Sequence, residues 1–183
     1  MATVDWHALA RTLGTLGDRS ESGGSDLGRQ ALELIVGVDA LRSAVDYFIA
    51  GGPGCELARS VLTILKPPCA MERCLEIARS DADVDSRRLA VNLLRDVADR
   101  RGIGWAAEFL RDEDDGVQVW GAMIVDRLLF VGLAEPDECV GILEAMVVHP
   151  NAGVRRQGEF VRSFLASGQA PAEAPAADGG GVR

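Results

Sequence analysis

The chain has 183 residues, 48% of them hydrophobic, enough for a compact domain with its own core and too apolar for disorder throughout. Its 28 acidic residues outnumber 19 basic ones, a net charge of −9, which disfavours nucleic acid and anionic membranes, where each phosphate needs a cation. No apolar run is long enough to cross a bilayer, and the opening MATVDWHALA has no basic region leading into a long apolar one. No signal peptide is therefore expected, and the expected compartment is the cytoplasm.

In chain order, Trp6, Leu9, Leu13 and Leu16 recur every three or four residues and predict a helix over 4–16, with Asp5 as its cap or in its first turn. The polar stretch GDRSESGGSD at 17–26 is a connection. A second helix is expected over 27–36, with Leu27, Ala31, Leu34 and Ile35 inward and Gly37 as terminator. Asp39 is expected to cap a helix over 40–50 that buries Leu41, Ala44, Val45, Phe48 and Ile49. Gly51-Gly52-Pro53-Gly54 breaks the chain. Without a Gly-Lys-Ser/Thr ending or a preceding strand, it is a hairpin turn rather than a phosphate loop. The returning helix, 55–65, is expected to bury Leu57, Ser60, Val61, Ile64 and Leu65. It ends at Lys66-Pro67-Pro68, because proline lacks the amide proton and restricts the residue before it.

Further helices are expected over 69–79, with Met71, Cys74, Leu75 and Ala78 inward, and over 84–99, with Leu89, Ala90, Leu93, Leu94 and Val97 inward. On the second of these, Arg87, Arg88, Asn92, Arg95 and Asp96 are expected to face out. A short helix over 103–111 leads through the acidic turn Asp112-Glu113-Asp114-Asp115-Gly116 into 117–130, with Val117, Trp120, Gly121, Ile124 and Leu128 inward. Pro136 suits the first turn of a helix over 135–148 that buries Val140, Leu143, Met146 and Val147. His149-Pro150-Asn151 is a turn before the last helix, 152–166, with Val154, Gly158, Val161, Phe164 and Leu165 inward. From Ser167 the chain turns to Gly, Ala and Pro with almost nothing to bury, and disorder is expected.

One phrase repeats. With Ser86, Val117 and Val154 in register, the steps are 31 and 37 residues. Ala90, Gly121 and Gly158 then share a column of small residues, which Ser60 joins one step upstream. Arg87, Gln118 and Arg155 share another. The small column is expected to let consecutive second helices approach closely. Links of about 4–6 residues make antiparallel pairs of 40–50 with 55–65, 69–79 with 84–99, 103–111 with 117–130 and 135–148 with 152–166. Each pair has more apolar face than it can cover alone, so the pairs must stack.

Chemistry is sparse. Cys55, Cys69, Cys74 and Cys139 lack metal-ligand spacing and read as small buried hydrophobes. His7 and His149 have no nucleophile placed beside them. The run Asp112–Asp115, like Asp81, Asp83 and Asp85, reads as solvated helix-start acids, with partner binding as the functional alternative. Trp105 and Trp120 read as core anchors, and Trp6 as a partner-facing aromatic beside a polar linker. No catalytic, cofactor or metal residues are assigned.

The repeated phrase resembles that of the HEAT-repeat family and its bacterial HEAT-like relatives: a turn acid or Asn, a hydrophobic residue, Arg, a small residue, then Leu-rich turns. It reads Asp83…Ser86-Arg87…Ala90, Asp114…Val117-Gln118…Gly121 and Asn151…Val154-Arg155…Gly158. Gln118 departs from the charged column and Ser86 from the hydrophobic one. The match covers about residues 38–166. It implies an all-α, right-handed α-solenoid of stacked antiparallel helix pairs, within the armadillo-type superfold. It also implies an internal ladder between turn acids and arginines, through Asp83, Arg87, Gln118, Asn151 and Arg155.

Three segments follow: N-terminal helices with a Gly/Ser linker over 1–37, capping the solenoid; the repeat domain over 38–166; and a tail over 167–183. The expected function is a noncatalytic protein-binding module or adaptor, whose acidic turns around Asp112, Glu113, Asp114 and Asp115, together with Trp6, meet another protein of basic character. The alternative is a ligand-binding or accessory subunit of an enzyme. Some HEAT-like relatives handle tetrapyrroles, and others bind DNA and excise alkylated bases, but no residue-by-residue match carries either role here.

Overall fold

The computed structural model describes residues 4–16, 24–80 and 83–167. The linker residues 17–23, Asp81 and the tail from 168 lie outside the described residues. Ten helices lie within them: α1 (Trp6–Thr12), α2 (Ser25–Val36), α3 (Val38–Ala50), α4 (Cys55–Leu65), α5 (Pro68–Ala78), α6 (Val84–Val97), α7 (Gly102–Phe109), α8 (Asp115–Phe130), α9 (Pro136–Val147) and α10 (Ala152–Ala166). They form two compact units, Met1–Asp99 and Arg100–Arg183.

Local chemistry accounts for the helix ends. Asp5, Asp83, Asp114 and Asn151 each place a side-chain oxygen on an amide of the first turn that has no partner within its helix. Asp39 caps nothing: Gly37 takes the cap position of α3 and Asp39 lies inside the first turn, where its charge still favours the helix start. Gly51 closes α3 in the left-handed conformation, at φ 71°, which glycine adopts without steric cost. Lys66 ends α4 in the same region, and Pro68 opens α5. In α9, Pro136 follows Glu135, whose amide donates to the Glu138 carboxylate at 2.9 Å.

In the first unit α3 packs on α4 and α5 on α6, while α3 lies against α5 and α4 against α6. This is sequential stacking of helix pairs. α2 lies on α3 and α5. Glu33 of α2 fixes it there: its carboxylate accepts the Cys69 amide at 2.6 Å, at the start of α5. Arg42 and Arg73 tie α3 to α5 through Glu76 and Asp46, and Arg59 of α4 grips Asp96 of α6 at 2.6 and 2.8 Å. The core holds Leu41, Val45, Phe48, Leu62, Met71, Cys74, Ala90, Val91, Leu93, Leu94 and Val97.

On three helices of this unit the expected faces differ from the structure. The inward stripe of α4 is exposed: Leu57 is 70%, Val61 40% and Ile64 79% accessible, and Ser60 is exposed too. The inward line is Ala58, Leu62 and Leu65: Leu62 is completely enclosed, and Ala58 and Leu65 are half-buried. Both sets have helical spacing, and the grip of Arg59 on Asp96 goes with the second. Ser60 therefore leaves the small-residue column, and its hydroxyl donates to the Glu56 carbonyl at 2.8 Å. On α2, Leu34 and Ile35 are exposed while Leu27 and Ala31 are half-buried. On α6 the polar residues Arg87, Arg88, Asn92, Arg95 and Asp96 are half-buried rather than facing out, and Val91 joins the core.

In the second unit α7 packs on α8, α9 on α10, and α8 on both α9 and α10. Gly121 and Gly158 are buried, but for a different reason than expected. A Cβ on Gly121 would lie 2.5 Å from Phe109 Cβ of α7, and one on Gly158 would lie 2.9 Å from Met146 Cβ of α9. The small residues thus bring together the two helices of one pair. The approach between second helices falls at Gly153, where a Cβ would meet Val119 of α8 at 2.7 Å. On α9, Val140 is exposed and Cys139 takes its place inside. Trp105 and Trp120 are half-buried, with the Arg101 guanidinium 5.4 Å above the Trp105 ring.

Candidate functional site

The α7–α8 and α9–α10 turns lie side by side in the second unit and bring together Asp112, Glu113, Asp114, Asp115, Gln118, Asn151 and Arg155. Asp112 accepts the Asp114 amide at 2.9 Å, and Asp114 caps α8 through the Val117 amide at 2.9 Å. Gln118 donates back to the Asp112 carbonyl at 2.7 Å. Asn151 caps α10 through the Gly153 amide at 2.8 Å. Its amide group donates across to Gln118 Oε1 at 2.9 Å and to the Asp115 carbonyl at 3.1 Å. Arg155 donates to the His149 and Pro150 carbonyls, both at 2.6 Å. The polar column thus bonds mostly to backbone carbonyls of its own turn, and Asn151 carries the link between repeats. Glu113 and Asp115 lie exposed on this edge.

His149 completes the edge. Its Nε2 meets the Leu110 carbonyl at 2.8 Å, and its Nδ1 accepts the Asn151 amide at 3.1 Å. An Nδ1 that accepts leaves the proton on Nε2, so the ring donates to Leu110 and joins the end of α7 to the α9–α10 turn. Replacing Asn151 with Ala removes a cap and the cross-turn bonds together. The expected loss is about 2 kcal/mol in urea unfolding, and an unchanged midpoint would show that the edge carries no stability.

Trp6, Asp83 and Arg87 belong to the first unit. Trp6 is 65% exposed on α1, a helix with no buried residue. Asp83 caps α6 through the Ser86 amide and hydroxyl, which hold its carboxyl below the usual range. Arg87 is half-buried on α6.

Asp126, in the apolar run of α8, escaped the sequence reading. It is only 6% exposed and accepts a hydrogen bond from Gln157 of α10. An acid flanked by buried Val125 and Leu128 is the signal that could have marked it. Glu33 and Asp96 were equally unforeseen as tertiary contacts, because acids on helix surfaces look alike in sequence.

The cysteines are free. Burial pushes the Cys69 and Cys74 thiols up to about 12, with the Glu33 carboxylate adding to the effect at Cys69, and burial raises Cys139 as well. These three thiols stay protonated and enclosed at pH 8, where the thiolate is the reactive form. Brief alkylation of the native protein is therefore expected to label Cys55 alone, by intact mass, with all four labelled after denaturation. Fast labelling of a second site without unfolding would contradict the packing around α5 or α9.

Among the described residues, no group of three or more His, Cys, Asp or Glu side chains stands where it could hold a metal ion. No described helix is long and apolar enough to cross a membrane. Fold and edge together define an all-α protein of sequentially packed helix pairs with a helical-repeat character. No protein-family model, curated protein or solved structure matches the chain.

Proposed function

We propose that the chain is a noncatalytic protein-binding module or adaptor of the cytoplasm, built as a right-handed HEAT-type stack, and that its acidic turns receive a basic segment of another protein. The observation that supports this most is the exposure of Glu113 and Asp115 on a turn edge whose backbone is already pinned by Asp112, Asp114, Gln118 and Asn151. Carboxylates on a fixed frame lose little freedom on binding, and their charge steers a cationic partner. The caps at Asp83, Asp114 and Asn151, and the small residues Ala90, Gly121 and Gly158, support the HEAT-type reading. Trp6 supplies an exposed aromatic of the kind that anchors partners.

The test is affinity capture from the native organism with quantitative mass spectrometry, repeated with Glu113→Lys and Asp115→Lys together. A stoichiometric protein lost on charge reversal and weakened by salt is the expected result. Capture of a small molecule without any protein would replace this reading with a ligand-binding one.

A further inference from the structure

α10 carries an exposed aromatic face, and the chain leaves the helix on that same face. Phe160, Phe164 and Ser167 follow at intervals of four and three residues, so they stand in one line. Phe160 is 54% exposed. Phe130, at the close of α8, packs edge-to-face with both rings, its centroid 5.9 Å from that of Phe160 and 4.6 Å from that of Phe164. The three rings make a floor, and arginines flank it on both helices. Arg127 lies one turn before Phe130 on α8, and Arg156 one turn before Phe160 on α10. Neither pairs with a carboxylate among the described residues. Glu159 is turned about 100° away from Phe160 around α10. In a chain of net charge −9, this spot is locally cationic.

We propose that the segment Ala170–Asp178 of this chain, APAEAPAAD, folds back over these rings as a strap, with Pro171 and Pro175 on the aromatic floor and Glu173 beside Arg127 and Arg156. Reach favours this occupant. The segment from 168 onward starts beside Ser167, on the face itself. The four residues from Ser167 to Pro171 span up to about 14 Å, while Phe160 lies only about 6 Å from Phe164 along the helix axis. Chemistry favours it too. Proline has its φ fixed in advance, so it loses little freedom on docking, and its compact ring is what aromatic-lined surfaces take in proline-rich recognition. Glu173 stands between the two prolines and matches the arginines in charge. Covalent attachment holds the strap at an effective concentration in the millimolar range, so weak contacts suffice. The face lies at the opposite end of α8 and α10 from the acidic turns, and the proposal stands independently of the partner proposed there.

Heteronuclear NMR of the full chain tests the strap. The expected result is an upfield shift of the Pro171 and Pro175 ring protons by the aromatic ring currents, with nuclear Overhauser contacts to the Phe160 ring. Both stay unchanged on dilution, because the contact lies within one chain. Phe160→Ala returns the proline signals to the positions of a free peptide of the same sequence. So does Glu173→Lys, which leaves the helices untouched and sets a cation beside two arginines. Added salt acts in the same direction. Proline signals at the free-peptide positions in the wild type would overturn the proposal. Shifts that fade on dilution would assign the face to a second copy, and shifts that survive Phe160→Ala or Glu173→Lys would place the segment elsewhere; either overturns the strap.

Discussion

Gly121→Leu is expected to destabilise the second unit by about 3 kcal/mol or more, at the upper end of overpacking costs. The first added atom already fails to fit, since a Cβ would lie 2.5 Å from Phe109 Cβ and 3.5 Å from the Phe109 carbonyl carbon. A Cβ cannot rotate away as the end of a long side chain can, so α7 and α8 would have to separate. A better helix former recovers only about 1 kcal/mol of this. Gly141 is the control: it lies in α9 and a Cβ there would meet nothing within 4 Å. Gly141→Ala is expected to stabilise by about 0.5–1 kcal/mol, because alanine loses less backbone freedom on folding. Urea unfolding separates the two, and equal midpoints for Gly121→Leu and wild type would show that the pair is not closely packed at this position.

Leu62→Ala is expected to cost about 2–5 kcal/mol, the range for removing an enclosed leucine and leaving a cavity. Ile64→Ala, two residues on, is expected to stay within about 0.5 kcal/mol of wild type, because Ile64 is largely in solvent. The reverse order of effects would mean that α4 is rotated and that the stripe read first from the sequence is the buried one.

The comparison at α4 shows where sequence reasoning ran out. ELARSVLTIL carries two apolar lines, Leu57-Val61-Ile64 and Ala58-Leu62-Leu65, and periodicity weighs them equally. The repeat register placed Ser60 in the small column and so selected the wrong line. On α9, Cys139 is enclosed as expected, but Val140 was also placed inward and is exposed: adjacent residues differ by about 100° around a helix, and only the neighbour decides which points inward. The acidic run 112–115 was legible as a helix start, since Asp114 caps α8. The bonds from Asn151 to Gln118 and Asp115 span more than 30 residues, and no local pattern encodes them.

By itself the sequence determined the number of the repeated helices and their limits to within a few residues, their pairing through short turns, the acids before α6 and α8 as helix-start residues, and the need for small side chains at Gly121 and Gly158. These follow from local forces, namely periodic apolar burial, orphan amides at helix starts and the backbone limits of Gly and Pro. Only the tertiary structure decided which face of α2, α4 and α9 is covered, that Gly121 and Gly158 serve contacts within a pair, and that Glu33, Asp96 and Asp126 reach partners on other helices. The physical reason is common to all of these. Burial and charge pairing depend on what stands opposite a side chain, and that is settled when helices distant in sequence pack together.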